Sequence, residues 1–522
     1  MSGEIKEIKK SFKTLSEAWA SRCELSPTHT FLIEDGRRIT YDEMDELTRK
    51  FIRFFDKVGV HARDIVVIQL PTSLLSIKLI ITCFKLNVVV MPISVRLDTK
   101  EFQDILTSVN PKLVILSSNV LANYLTSGGN FGSYEGYVLP ELCKTVEKVH
   151  YFISSQPKLT MLPPDIAAIL ATSGTTGTPK GVLLSQENIL YSETGFVHTF
   201  EIDQNDVLLL SLPVNHAIGF HHGIVSTILS GSCCVILESY DPKACLQLIK
   251  KYHCTYTLSV PTTAYDLFQA TSEDGFLEKI ICGGSPISRQ LLNESVQRHV
   301  PIYNVYGTTE SVPFICTTPA YFKAKHGTTA GFPIQGVMVK LLDKQGQEIR
   351  DMNHSGEIVV KGPMVFKGYF NNPTATAEVL SKDGWFYTGD LAHYNQDGAI
   401  KVDGRINDII MRGGENISAV LVEKFVLAYP KIQQVAAIGL KDERLGERIG
   451  ICVIPVYPNQ PLTLNEIKSF LAKKEVLKKY WPERLIICDR FPMTDSGKVR
   501  KKTLKQHLDA YIRPNIKHID MR

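Results

Sequence analysis

Seven short, mostly apolar runs, at 64–70, 87–93, 112–117, 166–171, 207–212, 233–238 and 279–282, punctuate the first half of this chain, with segments of helical pattern between them. A strand with one wet face alternates apolar and polar residues, whereas a run apolar throughout is buried on both faces. Such strands, spaced by helices, predict an α/β fold with largely parallel, helix-covered sheets. Two helices announce their starts. Thr40 and Glu43 form a capping box, Met44, Leu47, Phe51, Phe54 and Val58 recur at helical spacing, and Gly59 ends the pattern, which predicts a helix over 40–59. Asp241 followed by Pro242 marks another start, a cap with proline in the first turn.

The texture changes near Gly331. Segments such as VMVKLLD, GEIVVKG and GAIKVDG are short strands separated by Gly, Asp and Asn, which predicts antiparallel or barrel-like β structure. After Arg405 a third pattern begins: a helix over 418–429, two strands within 434–456, a helix capped by Thr463 and Glu466, and a strand near 485–488. The tail from 408 to 522 is long enough to fold as its own domain. No internal repeat or low-complexity tract interrupts it.

Length and composition narrow the function classes. The 522 residues provide for two or three domains, and 44% hydrophobic with 21% charged residues is ordinary for a globular chain. A formal net charge of +4 demands neither nucleic acid nor an anionic membrane as partner. The 11 cysteines form no C-x-x-C pair, so neither a disulfide framework nor a zinc site is expected and reduced thiols in the cytoplasm are. The N-terminus is polar and lacks the apolar core of a signal peptide. The most apolar stretch, 77–93, is interrupted by Lys78, Lys85 and Asn87, so no membrane span is expected. Nothing in the pattern fixes an oligomeric state.

The densest chemical signal is the run Thr172, Ser173, Gly174, Thr175, Thr176, Gly177, Thr178, Pro179, Lys180, Gly181, directly after the strand predicted at 166–171. Small residues let backbone N–H groups approach a polyanion, hydroxyls add donors, and Lys180 adds charge. Pro179 stands where a Walker A loop needs glycine, so it is not that loop. A flexible Ser/Thr/Gly turn is the plainer alternative, and ten such residues after a buried strand argue against it.

This run resembles the phosphate loop of the adenylate-forming superfamily, which includes acyl- and aryl-CoA ligases, luciferases and peptide-synthetase adenylation domains, and the resemblance continues in order along nearly the whole chain. It implies a large N-terminal domain over 1–403, built of two helix-flanked β-sheets plus a distorted β-barrel. A hinge at 404–407 and a small mobile α+β C-terminal domain over 408–522 follow. Tyr306, Gly307, Thr308, Thr309 and Glu310 resemble the family's next signature, with the aromatic ring near adenine, a threonine at the α-phosphate and the glutamate on Mg²⁺. Those residue types suit the chemistry, since a hard cation takes carboxylate oxygen and a ring stacks on a purine. Gly283, Gly284 and Ser285 resemble the segment lying against adenine. The stretch from Tyr387 to Asp390 resembles the ribose motif, with Asp390 accepting from the ribose hydroxyls and Arg405 contacting the ribose. Asn407 stands where the family usually places Asp or Lys at the hinge. Gly413 and Gly414 resemble the loop that lines the pantetheine tunnel of CoA, although a tight strand-to-helix turn explains the same glycines. Lys498, on a Ser-Gly turn near the C-terminus, resembles the catalytic lysine that stabilises charge building in adenylation. The nearby Arg500, Lys501, Lys502 and Lys505 read first as a solvated face, with CoA phosphates as the alternative.

His216 falls where the family places the side chain that gates the acyl and CoA channels. No acid lies between Val214 and Val225, which argues against an amino-acid substrate because a buried ammonium needs a partner. His221 and His222 either make the pocket partly polar or face outward on a helix. The expectation is therefore an ATP-dependent ligase that joins a small-molecule carboxylic acid, aryl or small to medium acyl, to CoA through an acyl-AMP, with ATP, Mg²⁺ and CoA as cofactors. The chain ends soon after the lysine motif, so the thiol is expected from CoA or from a separate carrier protein. A luciferase-like oxygenase and a non-catalytic nucleotide-binding relative are the other readings.

Overall fold

The computed structural model describes residues 12–139, 148–155, 162–172, 180–325, 329–352, 354–457, 460–493 and 499–508. The chain divides into two compact units, one of residues 1–327, 333–338 and 361–386, the other of 328–332, 339–360 and 387–522.

The first unit holds two sheets. In a seven-stranded sheet the middle is Leu113–Ser117, Ile65–Gln69, Val89–Pro92 and Ile166–Thr172, all paired in parallel. In a nine-stranded sheet the parallel middle runs Ile302–Thr308, Lys279–Gly283, Tyr256–Ser259, Val207–Leu210, Cys233–Ile236 and Thr30–Glu34. All seven apolar runs of the sequence lie in these parallel stretches. Ile65–Gln69 and Leu113–Ser117 are buried along their whole length, as strands covered on both faces must be.

Antiparallel strands flank the parallel stretches, and the sequence pattern did not flag them: Lys180–Ser185 against Ile166–Thr172, Val312–Cys316 against Ile302–Thr308, and Arg37–Thr40 against Thr30–Glu34. The helix expected at 40–59 runs Tyr41–Lys57 with the Thr40–Glu43 capping box in place, and Met44, Phe51, Phe54 and Phe55 are buried. The helix expected after Asp241 runs Pro242–Tyr252, with the Asp241 carboxylate accepting from the Ala244 N–H.

The second unit holds a five-stranded sheet ordered Glu348–Ile349, Met338–Leu342, Gly356–Lys361, Phe386–Tyr394 and Ile400–Arg405, the β texture expected after Gly331. In a second sheet Ile432–Asp442 and Gly446–Pro455 form a long hairpin, and Arg484–Ile487 pairs in parallel with the latter. Ile449, Ile451 and Val453 pack there against Val422 and Val426 of helix Ala419–Leu427 and Ile467 and Leu471 of helix Leu464–Lys473. The Thr463–Glu466 capping box starts the latter helix as expected. Among the described residues no helix is long and apolar enough to cross a membrane. Thr463→Ala removes the hydroxyl that accepts from the Glu466 N–H, and should cost the second unit about 1 kcal/mol, read from its denaturant midpoint.

Candidate active site

Most candidate residues of the first unit lie near two places where a parallel strand gives way to an antiparallel one. At the first, Thr172 ends one strand, Lys180 opens the next, and the two residues are paired. Ser173, Gly174, Thr175, Thr176 and Gly177 lie outside the described residues. Lys180 and Gly181 therefore belong to a strand. The stretch 366–370 lies alongside it: Phe370 N–H donates to the Gly181 carbonyl at 2.7 Å, Lys367 N–H to Leu183 at 2.9 Å, and Leu183 N–H to Gly368 at 3.0 Å. A Cβ on residue 181 would stand 2.9 Å from Ile169 Cγ2 and 3.2 Å from Phe370 Cβ, so glycine is what permits this approach.

The second follows strand Ile302–Thr308. Tyr306 and Gly307 lie in the strand, Thr308 pairs with Val312, and Thr309 and Glu310 form the bend between. Gly283 ends the adjacent parallel strand, paired with Val305, so Gly284 and Ser285 leave the sheet beside this turn. The Tyr306 ring meets Phe314 edge to face at 5.3 Å. A Cβ on Gly307 would fall 2.2 Å from the Val312 carbonyl oxygen. Val312 itself adopts a φ of +50° while 1% exposed. A β-branched residue in the left-handed region carries about 1–3 kcal/mol of strain and persists only where its surroundings impose it. Here the Ser311 N–H donates to the Thr308 carbonyl at 3.3 Å, and the Thr308 and Ser311 hydroxyls are 3.1 Å apart.

The two places are joined through one side chain. The Tyr369 hydroxyl donates to Glu310 Oε1 at 2.8 Å, and Lys180 Nζ stands over the Tyr369 ring, 4.7 Å from its centre. The Glu310 carbonyl also accepts from Phe366 N–H at 2.8 Å. Tyr369 was not singled out from the sequence. It is 59 positions from Glu310, and an aromatic residue after Lys-Gly carries no readable chemistry alone. Among the described residues no group of three or more His, Cys, Asp or Glu could cage a metal. A single carboxylate that keeps acceptor capacity beside the Tyr369 bond fits Mg²⁺, which arrives with phosphates and takes only one or two protein carboxylates.

His216 is half-buried, and its Nδ1 accepts from the Ile218 N–H at 3.3 Å. The following turn is a π-helix, Ile218–Val225, a form often found at functional sites. It turns His221 and His222 inward, 0% and 2% exposed, which excludes the outward-facing alternative. Glu193, from helix Gln186–Thr199, is buried too and lies 2.9 Å from His222 Nδ1, and Phe196 stacks on the His222 ring with centroids 4.1 Å apart. An acid is therefore present near this segment, brought from 29 residues upstream and already engaged. Burial, with His222 and His216 nearby, holds His221 well below the usual imidazole range, so it is neutral near pH 7.

In the second unit, Asp390 lies within strand Phe386–Tyr394, 4% exposed, and pairs with Arg405 both in strand register and through Arg405 Nε to Oδ1 at 2.9 Å. The Thr388 hydroxyl links them to the sheet, donating to the Ile358 carbonyl at 2.8 Å and accepting from the Asp390 N–H at 3.1 Å. Burial, and the Asp390 carboxylate beside it, raise the neighbouring Glu357 carboxyl above its usual range. Asn407 sits exposed in the short 3-10 turn Ile406–Asp408. Gly413 and Gly414, with φ of +57° and +87°, are the two-residue bend of a β-hairpin between Ile409–Arg412 and Glu415–Ser418, rather than a strand-to-helix turn. Arg412 grips Glu483 through two nitrogens at 2.8 and 3.0 Å. Lys501 pairs with Glu423 and Lys505 with Glu447, each at 2.8 Å. Lys498 lies outside the described residues.

Known proteins resemble the chain over nearly its whole length. The family described as AMP-binding enzyme matches residues 19–370, and the AMP-binding enzyme C-terminal domain matches residues 421–498. The medium-chain fatty-acid–CoA ligase of Escherichia coli strain K12 is 30% identical over 515 residues, covering 95% of this chain and 90% of that protein. The 2-succinylbenzoate–CoA ligase of Geobacillus sp. strain WCH70 is 28% identical, covering 93% and 96%. O-succinylbenzoate coenzyme A synthetase from Bacillus subtilis, solved in complex with ATP and magnesium ion, superposes with a TM-score of 0.80 at 25% identity, over 94% of this chain and 99% of that one.

Gly307→Ala forces a methyl group against the Val312 carbonyl. It should lower stability by about 1–3 kcal/mol, the usual scale of overpacking, seen as a fall in the thermal midpoint of the first unit.

Proposed function

The chain belongs to the AMP-binding enzyme family, and from that premise we propose that it forms an acyl-AMP from a carboxylic acid and ATP and then passes the acyl group to a thiol by alternation of its C-terminal domain. It is an AMP-forming acid–thiol ligase that uses ATP, Mg²⁺ and CoA. The observation that carries the adenylation step is the Lys180–Tyr369–Glu310 linkage, a cation and a carboxylate held close together at two strand ends, while transfer to the thiol is supported by the family likeness.

In this reading Lys180 would meet the phosphates and Glu310 would hold Mg²⁺, which when bound would supply neutralising charge at the phosphates. Thr172 to Gly177 supply backbone and hydroxyl donors, and Thr309 contacts the α-phosphate. Tyr306, with Gly283 to Ser285, borders adenine, while Asp390 accepts from the ribose hydroxyls and Arg405, paired with it, contacts the ribose. Lys498 stabilises the charge that develops between the carboxylate and the α-phosphate. His216 gates the acyl channel, and Gly413 and Gly414 admit the pantetheine arm.

The acid is an aryl or a small to medium acyl carboxylate. Glu193, the acid beside this segment, is already engaged by His222, which leaves it less able to pair with a substrate ammonium. Pyrophosphate release measured over aryl, short, medium and long acids tests this. A preference for amino acids, or release with no acid at all, would overturn it.

The domains are read as 1–403 and 408–522 with the hinge at 404–407. The Ser418 hydroxyl donates to the Asp403 carbonyl at 2.6 Å, so rotation at Asn407 must break a bond spanning that segment.

Lys498→Ala should slow adenylation about a hundredfold or more while largely sparing thioester formation from pre-made acyl-AMP. Equal damage to both half-reactions would count against alternation. Asn407→Pro fixes φ at the hinge and should hurt thioester formation more than adenylation, as rapid-quench assays of each step would reveal.

A further inference from the structure

Lys180 and Glu310 carry opposite charges, both reach Tyr369, and yet no ion pair joins them among the described residues. The cation lies on the face of the ring and the carboxylate is held at its hydroxyl. A direct ammonium–carboxylate pair would neutralise both groups, and a phosphate or a metal ion would have to break it on arrival. A phenol avoids this. Its hydroxyl is a neutral donor that orients the carboxylate without cancelling its charge, and its ring attracts the ammonium more weakly than an anion does.

The backbone shows that this arrangement is built in. Tyr369 pairs with Val182, two residues along the strand that Lys180 opens. Phe366, three residues earlier, donates to the backbone of Glu310 itself. The Tyr369 N–H is held by Thr376 Oγ1 at 2.9 Å, and the residue is 8% exposed. The backbone that carries the ring is thus tied to the Lys180 strand and to the Glu310 bend apart from the side-chain contacts.

We propose that Tyr369 is a positioning residue that keeps Lys180 and Glu310 from pairing with each other, so that the lysine stays available to the triphosphate of ATP and the glutamate to its Mg²⁺. The proposal rests on the reading of these strand ends as the ATP site. It assigns separate consequences to the two parts of the side chain. The hydroxyl governs the metal through Glu310, and the ring governs the phosphates through Lys180.

The test is ATP binding by calorimetry to the full-length protein, with and without Mg²⁺, joined to Mn²⁺ binding in the presence of ATP by electron paramagnetic resonance. Tyr369→Phe keeps the ring and should leave metal-free ATP affinity unchanged while weakening Mn²⁺ binding about tenfold, the scale of one hydrogen bond to a charged group. Tyr369→Leu removes the spacer and should weaken metal-free ATP binding about threefold to tenfold as Lys180 turns to Glu310. Adding Glu310→Gln to Tyr369→Leu removes the competing anion and should restore metal-free ATP affinity. A packing defect would not be repaired that way. Wild-type affinities in both single variants, or no recovery in the double variant, would overturn the proposal. Failure of the wild-type protein to bind ATP at all would instead overturn the ATP-site reading on which it stands.

Discussion

Parallel strands cannot be joined by a tight turn. Each connection must cross back over the sheet, usually as a helix, and this gathers all the strand ends of one polarity along one edge. The first unit obeys that rule in both of its sheets, and its candidate site follows from it. Thr172, Gly283 and Thr308 each end a parallel strand. Two of those strands pair with the antiparallel strand that follows them in the chain, Lys180–Ser185 in one sheet and Val312–Cys316 in the other. At the second of these, the bend at Thr309 and Glu310 lies directly between the two strands. Loops at such strand ends are where α/β folds usually bind ligands.

The second unit solves a different problem. Its strands are largely antiparallel, and Asp390 is placed within a strand rather than at an end. A buried carboxylate there needs compensation. Arg405 supplies it from the paired position of the next strand, with Thr388 and the backbone of Ile358 anchoring the motif. The pair remains half open, since the arginine side chain is 47% exposed and the aspartate only 6%. Charge is thus oriented without being walled off.

Much of the fold was legible in the sequence because its strongest signals are local. Apolar runs buried on both faces, capping boxes at Thr40 and Thr463, and an Asp-Pro helix start are each written within a few residues. The edge strands were not legible. Lys180–Ser185 opens with the lysine and glycine that read as the end of a loop. For the candidate site, the sequence offers contiguous motifs such as Tyr306–Glu310 but is silent where side chains meet from afar. Tyr369 reaches Glu310 and Glu193 reaches His222 through the folded chain, and neither partnership leaves a trace in spacing. The reading of His221 and His222 turned on the same kind of information, since only helix Gln186–Thr199 decides which way they face.

Val312 deserves to be seen from the side of protein engineering. Its left-handed backbone is a conformation that glycine or asparagine adopts far more readily. Either substitution would relieve that strain but would also take a buried apolar side chain out of the core, so a search for heat-resistant variants finds little to gain here. The same relief would loosen the bend that presents Glu310, two residues away. The position is therefore held from both sides: packing around the valine imposes the strain, and the strained backbone fixes the bend.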